Sequence, residues 1–286
     1  MPDPLANGVG TPSASTGSQP TDAGLQVSDA SERLPASAHS HSVRMIHTSD
    51  VHVGTGFALD ESGREEALVF METIVNAATD LDADLVVIAG DFFDNNRVKE
   101  PLVQATAEII SATEKPVVIL PGNHDPFMSG SMYQRFAHHF ADNVHIFDSP
   151  DGTLFSLDDI GVQIWGQAHA SYDDFSPADA SPAWRGDTER PFWRIAMAHG
   201  SAVGFDGRLS FGYRIEEEHL ADLEAHYVAL GHLDRHGQTG PPGTTAFYSG
   251  APGLLKGFTL VDLQPHGVNV QPILFDALER GEAPAR

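Results

Sequence analysis

The sequence predicts an α/β protein in which two packed β-sheets lie between helices. Two patterns support this prediction. Between residues 43 and 120, short apolar runs alternate with amphipathic stretches, which is typical of strands and helices in turn. After residue 144 the amphipathic stretches become rare and apolar runs follow one another, so the second part of the chain supplies many more strands.

The first elements follow from local pattern. Strands are expected over 43–48, 85–89 and 117–120, where apolar residues form short runs bounded by turn residues. A helix is expected over 65–78, where apolar residues recur at helical spacing, and a second helix is opened by Pro101 and runs to about residue 113. Strand, helix, strand, helix, strand is the order of an α/β sheet.

The later elements are mostly strands, each a short apolar run between turn residues. The predicted strands cover 144–147, 153–157, 162–165, 193–198, 227–230, 246–248, 257–262 and 268–274. The stretch 167–190 has little pattern and is predicted to be a long loop, and loops of this length are often functional.

Composition divides the chain into three parts. Residues 1–42 are rich in Ser, Ala, Gly, Pro and Thr without apolar periodicity, which predicts a disordered N-terminal tail. A single domain is expected over 43–275, followed by a short C-terminal tail over 276–286. The start of the chain lacks the basic and apolar segments of a secretory signal, so a cytoplasmic location is expected. No apolar run approaches the ~20 residues of a membrane span, so no membrane partner is expected.

Charge and cysteine content narrow the function classes. The chain carries 40 acidic and 16 basic side chains, a formal net charge of -24. This balance disfavours non-specific binding of nucleic acid or anionic membrane, which needs clustered Lys and Arg. The chain has no cysteine, which excludes disulfides, thiolate metal sites and thiol nucleophiles. Any chemistry must therefore use oxygen and imidazole groups.

Five polar motifs follow predicted strands directly. They are Ser49-Asp50-Val51-His52, Gly90-Asp91-Phe92-Phe93-Asp94, Gly122-Asn123-His124-Asp125, Ala198-His199-Gly200 and Gly231-His232-Leu233-Asp234. Side chains that follow the carboxyl ends of strands converge on one crevice. Their carboxylate, amide and imidazole groups suit divalent ions such as Mn, Fe or Zn. Each motif alone has an ordinary structural interpretation, and it is their joint occurrence that predicts a metal site.

The spacing predicts a site for two metal ions. Asp50 and His52 lie two apart on an extended segment, so their side chains project to the same side and can hold one ion. Asp91 can bridge two ions, and the second ion is completed by Asn123, His199 and His232. Two ions ~3.5–4 Å apart can bind a phosphate, activate a bridging water to hydroxide and stabilise in-line displacement.

Two further residues are predicted to be catalytic. His124 stands next to a ligand and can donate a proton to the leaving oxygen. Asp94 can orient that imidazole and favour its protonated form. The histidines outside the motifs, His169 among them, are interpreted as structural.

At these motifs the sequence resembles the calcineurin-like metallophosphoesterases, whose pattern is D-x-H, G-D-x-x-D, G-N-H-D/E, a lone His and G-H-x-H. The resemblance extends over 43–274 and implies a four-layer α-β-β-α sandwich of two mixed sheets with a dinuclear metal centre. The flanking residues resemble the bacterial DNA repair exonuclease, or SbcD-like, branch. Manganese is the expected metal, with Fe, Mg or Zn as alternatives.

The last motif departs from the family pattern. Asp234 stands where the family has a histidine that binds the first metal. Asp234 is the expected ligand, and a carboxylate there favours Mn, Mg or Fe over Zn. Two alternatives are that His236 substitutes after a loop shift, or that this metal is weakly held.

The resulting hypothesis is a phosphoesterase that cleaves phosphodiester bonds by a metal-bridged hydroxide, in the manner of a DNA repair exonuclease. The alternatives are a hydrolase of small phosphodiesters or phosphomonoesters, or a degenerate fold that serves as a binding scaffold.

The acidity disfavours nucleic acid as a substrate of the chain alone, whereas an ATPase-type repair partner could deliver it. A local basic track could come from Arg97, Lys99, Arg185, Arg190, Arg194, Arg208 and Arg214, although pairing with surface carboxylates is expected for most of them. The chain stops soon after the last strand, and we expect no DNA-capping domain or long helical docking segment in it.

Overall fold

The computed structural model describes residues 25–27, 39–56, 65–186, 191–204, 212–282, 284 and 286. Within these residues the strands form two large sheets and one two-stranded sheet. The predicted arrangement of two mixed sheets between helices is confirmed.

The first sheet contains seven strands in the order β1-β15-β14-β2-β3-β4-β5 within the described residues. Strands β2 to β5 are parallel, and β14 and β15 add to β2 as an antiparallel pair. The strands are β1 Leu25–Val27, β2 Val43–Thr48, β3 Leu85–Ala89, β4 Val117–Leu120, β5 Val144–Ile146, β14 Gly257–Gln264 and β15 Gly267–Leu274.

The second sheet contains six strands in the order β12-β13-β11-β8-β7-β6 within the same part of the chain. Strands β7, β8, β11 and β13 are parallel, and the two edge strands run antiparallel to them. The strands are β6 Thr153–Leu157, β7 Val162–Gly166, β8 Trp193–His199, β11 Tyr227–Gly231, β12 Gly237–Thr239 and β13 Ala246–Tyr248. A small parallel pair, β9 Ser201–Ala202 and β10 Arg214–Ile215, lies beyond β8.

Helices cover the outer faces of the sheets. The helices are α1 Glu66–Asp80, α2 Glu100–Ser111, α3 Met132–Arg135, α4 Glu217–Asp222, α5 Pro252–Leu255 and α6 Phe275–Glu279, with short 3-10 helices at Ala137–His139 and Asp158–Ile160. Apolar side chains of α1 and α2 pack on the first sheet, and Leu220 of α4 packs on the second.

The two sheets pack face to face through their apolar residues. Alternation along β2 sends Met45 between the sheets and Ile46 towards the helices. His47 is also buried between the sheets, with its Nδ1 atom 2.9 Å from the hydroxyl oxygen of Tyr227 on β11. This packing brings the carboxyl ends of β2, β3, β4, β8 and β11 to the same edge.

The predicted tails differ from the structure in four places, the first being α6, which covers 276–279 of the predicted C-terminal tail. Strand β1 pairs antiparallel with β15, and His39 is buried with its ring stacked 3.8 Å from that of Trp193. At the other end, Arg286 pairs with Asp82 and Asp84. A three-residue strand and isolated contacts leave no periodic pattern, so sequence reasoning does not detect them. Residues 1–24 and 28–38 of the predicted tail lie outside the described residues.

The long loop is confirmed over the described residues 167–186, which contain no helix or strand. None of the helices in the described part of the chain is both long and apolar enough to pass through a bilayer.

Candidate metal centre

All five polar motifs meet where the strands of the two sheets end. The first sheet contributes Asp50 and His52 after β2, Asp91 and Asp94 after β3, and Asn123 and His124 after β4. The second sheet contributes His199, the last residue of β8, and His232, the first residue after β11. The predicted convergence of these motifs is therefore present in the fold.

Four of these residues have unusual backbone angles. The φ angles of Asp50, His52, Asp91 and His232 are 55°, 53°, 50° and 96°. Positive φ is uncommon outside glycine and often marks functional sites. The expectation that Asp50 and His52 project together from an extended segment was wrong, because β2 ends at Thr48 and both residues lie in the left-handed region.

Two glycines of the motifs are required because the backbone there passes very close to a side chain of the site. A Cβ atom at Gly90 would lie 2.0 Å from Nδ1 of His199, and one at Gly122 would lie 2.2 Å from Oδ1 of Asp91. Both distances are far below van der Waals contact, so only glycine lets these loops pass so close to the polar side chains.

One potential ligand group lies at the junction of the two sheets and consists of Asp91, His199 and His232. Its ligand atoms all lie within 4.8 Å of one another. The Nε2 atom of His199 is 3.1 Å from Oδ2 of Asp91 and 3.1 Å from Oδ1 of Asn123. The same Asn123 oxygen is 2.9 Å from Nδ1 of His232. We call Asp91, Asn123, His199 and His232 the inner group.

The Nε2 atom of His199 faces only oxygen atoms. Its Nδ1 atom is 2.8 Å from the carbonyl oxygen of Ala89, which only accepts, so Nδ1 carries the proton. The Nε2 atom then faces the oxygens of Asp91 and Asn123, an arrangement that requires positive charge on Nε2 or between these atoms. The inner group therefore fits a bound cation.

The pKa shifts of the pair agree with this need for positive charge. Burial alone would lower the pKa of His199, but the charge and hydrogen bond of Asp91 raise it to about 9. Burial opposes ionisation of Asp91 as well, yet His199 holds the pKa of Asp91 below its usual range. For His232, burial and the charge of His199 lower the pKa to about 4, so its ring is a neutral potential ligand at pH 7.

A second group consists of His52, Asp91 and His124, and we call it the outer group. The Nε2 atom of His52 is 3.9 Å from Oδ2 of Asp91, the same oxygen that faces His199. The Nδ1 atom of His52 is buried without a hydrogen bond and lies 3.7 Å from Oδ1 of Asp94. Nε2 is thus the His52 atom that faces Asp91 and could bind an ion of the outer group, whereas Nδ1 faces Asp94. Asp91 belongs to both groups, which is the arrangement expected of a bridging ligand.

Asp50 lies beside the groups but belongs to neither set of converging atoms within the described residues. Both its carboxylate oxygens accept the backbone N–H of His232, at 3.1 and 3.0 Å. Burial, together with the nearby charge of Asp91, raises the pKa of Asp50 to about 6. Asp50 thus links the loop after β2 to the loop after β11.

The structure changes the predicted relation between Asp94 and His124. Nδ1 of His124 is 3.0 Å from the backbone carbonyl oxygen of Asp94, so the carbonyl orients the exposed ring. The carboxylate of Asp94 instead faces His52 and accepts a hydrogen bond from Asn95. The sequence predicts that the carboxylate of Asp94 orients His124, but the backbone carbonyl of Asp94 does so. Spacing along the chain does not set the direction of a side chain after a tight turn.

Asp234 and His236 are the two candidates to replace the family histidine of the last motif. In the described structure neither side chain joins the inner or the outer group. The side chain of Asp234 is exposed, and its backbone carbonyl accepts a hydrogen bond from Ala251. His236 points towards the sheet, with Nδ1 2.9 Å from the hydroxyl oxygen of Thr259.

Two residues support the site without belonging to either group. Asp125 is fully buried, and its carboxylate accepts hydrogen bonds from the backbone of Gly122 and Phe93 and from the hydroxyl of Tyr133. It thereby joins the loops after β3 and β4. His169, interpreted from sequence as structural, has Nε2 2.8 Å from the carbonyl oxygen of His199.

An open cleft of about 800 Å³ lies over the groups. It is lined by Asp94, Asn95, Arg97, Asn123, His124, Tyr172 and Tyr213. Tyr172 comes from the loop after β7, within the stretch 167–190 that has little sequence pattern, and Tyr213 directly precedes β10. The hydroxyl of Tyr213 donates to the carbonyl oxygen of Tyr172, which ties the two loops together.

Of the described residues of the predicted basic track, only Arg97 lines the cleft. Arg97 is exposed and lines the cleft, whereas Arg214 pairs with Glu216 and Arg194 lies over the ring of Trp184. Arg190 and Arg208 lie outside the described residues.

The four-layer fold and the paired ligand groups define a metal-dependent phosphoesterase. The family model for calcineurin-like phosphoesterases matches residues 43–235, and the chain belongs to this family. The predicted family is therefore confirmed.

Relatives in this family include named nucleases. A subunit of the nuclease SbcCD from Bacillus subtilis is 26% identical over 265 residues, covering 78% of this chain and 67% of the relative. DNA double-strand break repair protein Mre11 of Methanosarcina acetivorans is 36% identical over 87 residues, covering 29% of this chain and 14% of the relative. The chain thus aligns with only part of each relative.

Solved structures with a similar fold are distant in sequence. Purple acid phosphatase PPD1 from yellow lupin has a TM-score of 0.51 at 13% identity and covers 84% of this chain and 52% of the phosphatase. The protein TT1561 of Thermus thermophilus has a TM-score of 0.50 at 14% identity and covers 81% of this chain and 99% of that protein. These similarities concern the fold alone.

Proposed function

We propose that the chain is a dinuclear phosphodiesterase of the exonuclease type, acting on short or single-stranded nucleic acid. The observation that carries the proposal is Asp91. Its Oδ2 atom faces His199 of the inner group and His52 of the outer group, and its Oδ1 atom accepts the backbone N–H of His124, which lines the open cleft. Ions held by the two groups would supply Lewis-acid activation of a phosphate and of the attacking water.

The residues of the chain supply the remaining functions. His124 is exposed at the cleft and its Nδ1 is held by a carbonyl oxygen, so Nε2 is the atom that can donate a proton to a leaving oxygen. Arg97 offers a cation to a second phosphate or to the unreactive oxygens of the first. The cleft is open and lined by Tyr172 and Tyr213, which supports a substrate larger than inorganic phosphate.

The charge of the chain favours short substrates over a free duplex. The net charge is -24, and Arg97 is the one basic side chain lining the cleft among the described residues. Non-specific duplex binding depends on several cationic contacts to phosphates. A duplex would therefore need delivery by a partner, and we propose an ATPase-type repair subunit for this role because the Bacillus relative is itself named as a nuclease subunit.

We propose manganese as the activating ion. The donor set combines imidazole with carboxylate and amide oxygens, and carboxylate oxygens suit Mn better than softer metals. Loading with Mn, Fe, Mg or Zn separately should give the highest turnover with manganese; higher turnover with zinc would contradict this assignment.

The test compares substrates under one set of conditions. We expect manganese-dependent hydrolysis of bis-p-nitrophenyl phosphate and stepwise shortening of end-labelled single-stranded DNA, with slower cleavage of the same sequence as a duplex. His124→Ala is the control for contaminating nucleases, because a contaminant would be unaffected by it. Activity confined to small diesters would contradict the exonuclease assignment, and metal-loaded protein without activity on any diester would contradict the phosphodiesterase assignment.

A further inference from the structure

A third set of metal-binding side chains lies outside the cleft. Glu100 begins α2, and His138 and His139 lie in the 3-10 helix Ala137–His139. Their ligand atoms all lie within 4.8 Å of one another, as in the inner and outer groups. Sequence reasoning gave both histidines a structural interpretation, since His-His beside a distant Glu matches no familiar spacing.

The distances within this set resemble those around a bound metal. Both Nε2 atoms face the same oxygen, Oε1 of Glu100, at 3.6 Å for His138 and 3.2 Å for His139. In a tetrahedral zinc site with bonds of about 2.0–2.1 Å, neighbouring ligand atoms are separated by about 3.3–3.4 Å. The observed separations bracket this value, so an ion could bind with small side-chain movements.

Neighbouring rings restrict the movement of His139, and the set remains accessible to solvent. The rings of His138 and His139 lie 4.1 Å apart, and that of His139 packs beside Phe136. The side chain of His139 is 17% exposed, whereas those of His138 and Glu100 are 63% and 51% exposed. One ligand is thus held by packing, and the open side leaves room for water as a fourth ligand.

We propose that Glu100, His138 and His139 form a third metal site, selective for zinc or a similar borderline transition ion. Two imidazoles and one carboxylate suit Zn, Cu or Ni better than Mg or Ca. The site goes beyond the proposed phosphodiesterase function, because none of its ligands lines the cleft.

The proposed ion would join two segments that border the cleft. It connects the first turn of α2 to the 3-10 helix that follows α3. Within the segment 131–139, the backbone N–H of Met132 and the guanidinium of Arg135 both donate to Asn96. Asn96 is adjacent to Asn95 and Arg97, which line the cleft. Zinc at this site therefore stiffens the segment that supports one wall of the cleft.

Zinc stoichiometry of the full chain tests the proposal. After equilibrium dialysis against Zn²⁺, we expect Glu100→Gln and His138→Ala/His139→Ala each to hold one equivalent fewer than the unmodified chain. Glu100→Gln retains a hydrogen-bond acceptor for His139, so it keeps the fold if the double variant does not. His266→Ala removes another exposed histidine and should hold as much zinc as the unmodified chain.

An active-site variant separates this proposal from the phosphodiesterase function. Asp91→Asn should lose metal from the inner and outer groups and keep the equivalent at Glu100. In the Asp91→Asn variant, zinc should slow backbone hydrogen exchange across 131–139. In the double variant Asp91→Asn/Glu100→Gln, zinc should leave the exchange rate unchanged. Equal zinc content in the unmodified chain and Glu100→Gln would overturn the third site, whatever the activity on diesters.

Discussion

The inner and outer ligand groups share Asp91 but differ in how firmly the fold holds them. In the inner group, His199 is fully buried and lies 3.1 Å from both Asp91 and Asn123. In the outer group, the Nε2 atom of His52 is 3.9 Å from Asp91, and His124 is exposed.

The difference follows from the elements that carry the ligands. His199 ends a buried central strand, and a hydrogen bond to Ala89 of the other sheet fixes its ring. His52 lies on the loop after β2, and Asp50 of the same loop is turned towards the backbone of His232. We therefore expect an ion in the inner group to bind more tightly than one in the outer group, because less reorganisation is needed.

Removing the shared ligand should have the largest effect. Asp91→Asn removes the carboxylate that faces both groups, and we expect turnover of bis-p-nitrophenyl phosphate to fall about 1000-fold, since Lewis-acid stabilisation is worth several kcal/mol. Metal content should fall in parallel. Asp159→Asn, an exposed change on the 3-10 helix Asp158–Ile160, should leave both quantities unchanged. Full metal content and turnover in Asp91→Asn would show that the groups do not share a ligand.

A smaller effect is expected at the exposed edge of the outer group. His124→Ala should reduce kcat about 100-fold on a diester with an alkoxide leaving group, because general acid catalysis contributes about that much. The reduction should be smaller with p-nitrophenolate, which leaves without a proton. Metal content should stay the same.

The alternative for His124 is the role of a metal ligand, since its ring belongs to the converging atoms of the outer group. In that case metal content would fall and both leaving groups would be affected equally. Measuring kcat for the two esters beside metal content separates these roles.

The free energy of unfolding should depend on pH through His47, which is buried between the two sheets. Burial, and then the nearby His236, lower the pKa of His47 to about 3, against 6.5 for an unperturbed histidine. Between these values the unfolded chain binds a proton that the folded chain does not. The free energy of unfolding should therefore fall by up to about 1.4 kcal/mol per pH unit as pH decreases from 6.5 towards 3.

Urea denaturation of the metal-free protein at several pH values measures this slope. His47→Gln should reduce the slope by up to about 1.4 kcal/mol per pH unit, whatever its effect at pH 7. The exposed change His266→Gln should leave the slope as it is. An unchanged slope in His47→Gln would mean that this histidine is protonated in the folded protein.

The smallest effect is expected at Asp234. Its side chain is exposed and lies outside both groups, so Asp234→Ala should change turnover and metal content by less than about twofold, as is usual for exposed sites. A large loss of metal from this variant would restore the sequence-based assignment of Asp234 as a ligand.

The strands could be predicted closely because buried strands are continuous apolar runs. The LVVIA run over 85–89 and the VVIL run over 117–120 match β3 and β4 in full. Elements with little burial gave no such signal: α4 buries only Leu220, and β9 and β10 have two residues each. Tertiary contacts, rather than local pattern, define these elements.

Residue types at the site could be predicted, but side-chain directions could not. The motifs correctly indicated which loops converge. The positive φ angles of Asp50 and His52 redirect their side chains, so alternation along a strand no longer applies. The role of the Asp94 carbonyl and the support from His169 arise from three-dimensional contacts that spacing does not encode.

Electron paramagnetic resonance of the manganese-loaded chain tests the shared-ligand arrangement most directly. Ions ~3.5–4 Å apart and joined by a carboxylate should give the spectrum of a spin-coupled pair. The inner group should fill first during titration, giving an uncoupled signal that converts to the coupled one as the second equivalent binds. Uncoupled signals at full loading, or a coupled pair that persists in Asp91→Asn, would contradict a dinuclear centre built on Asp91.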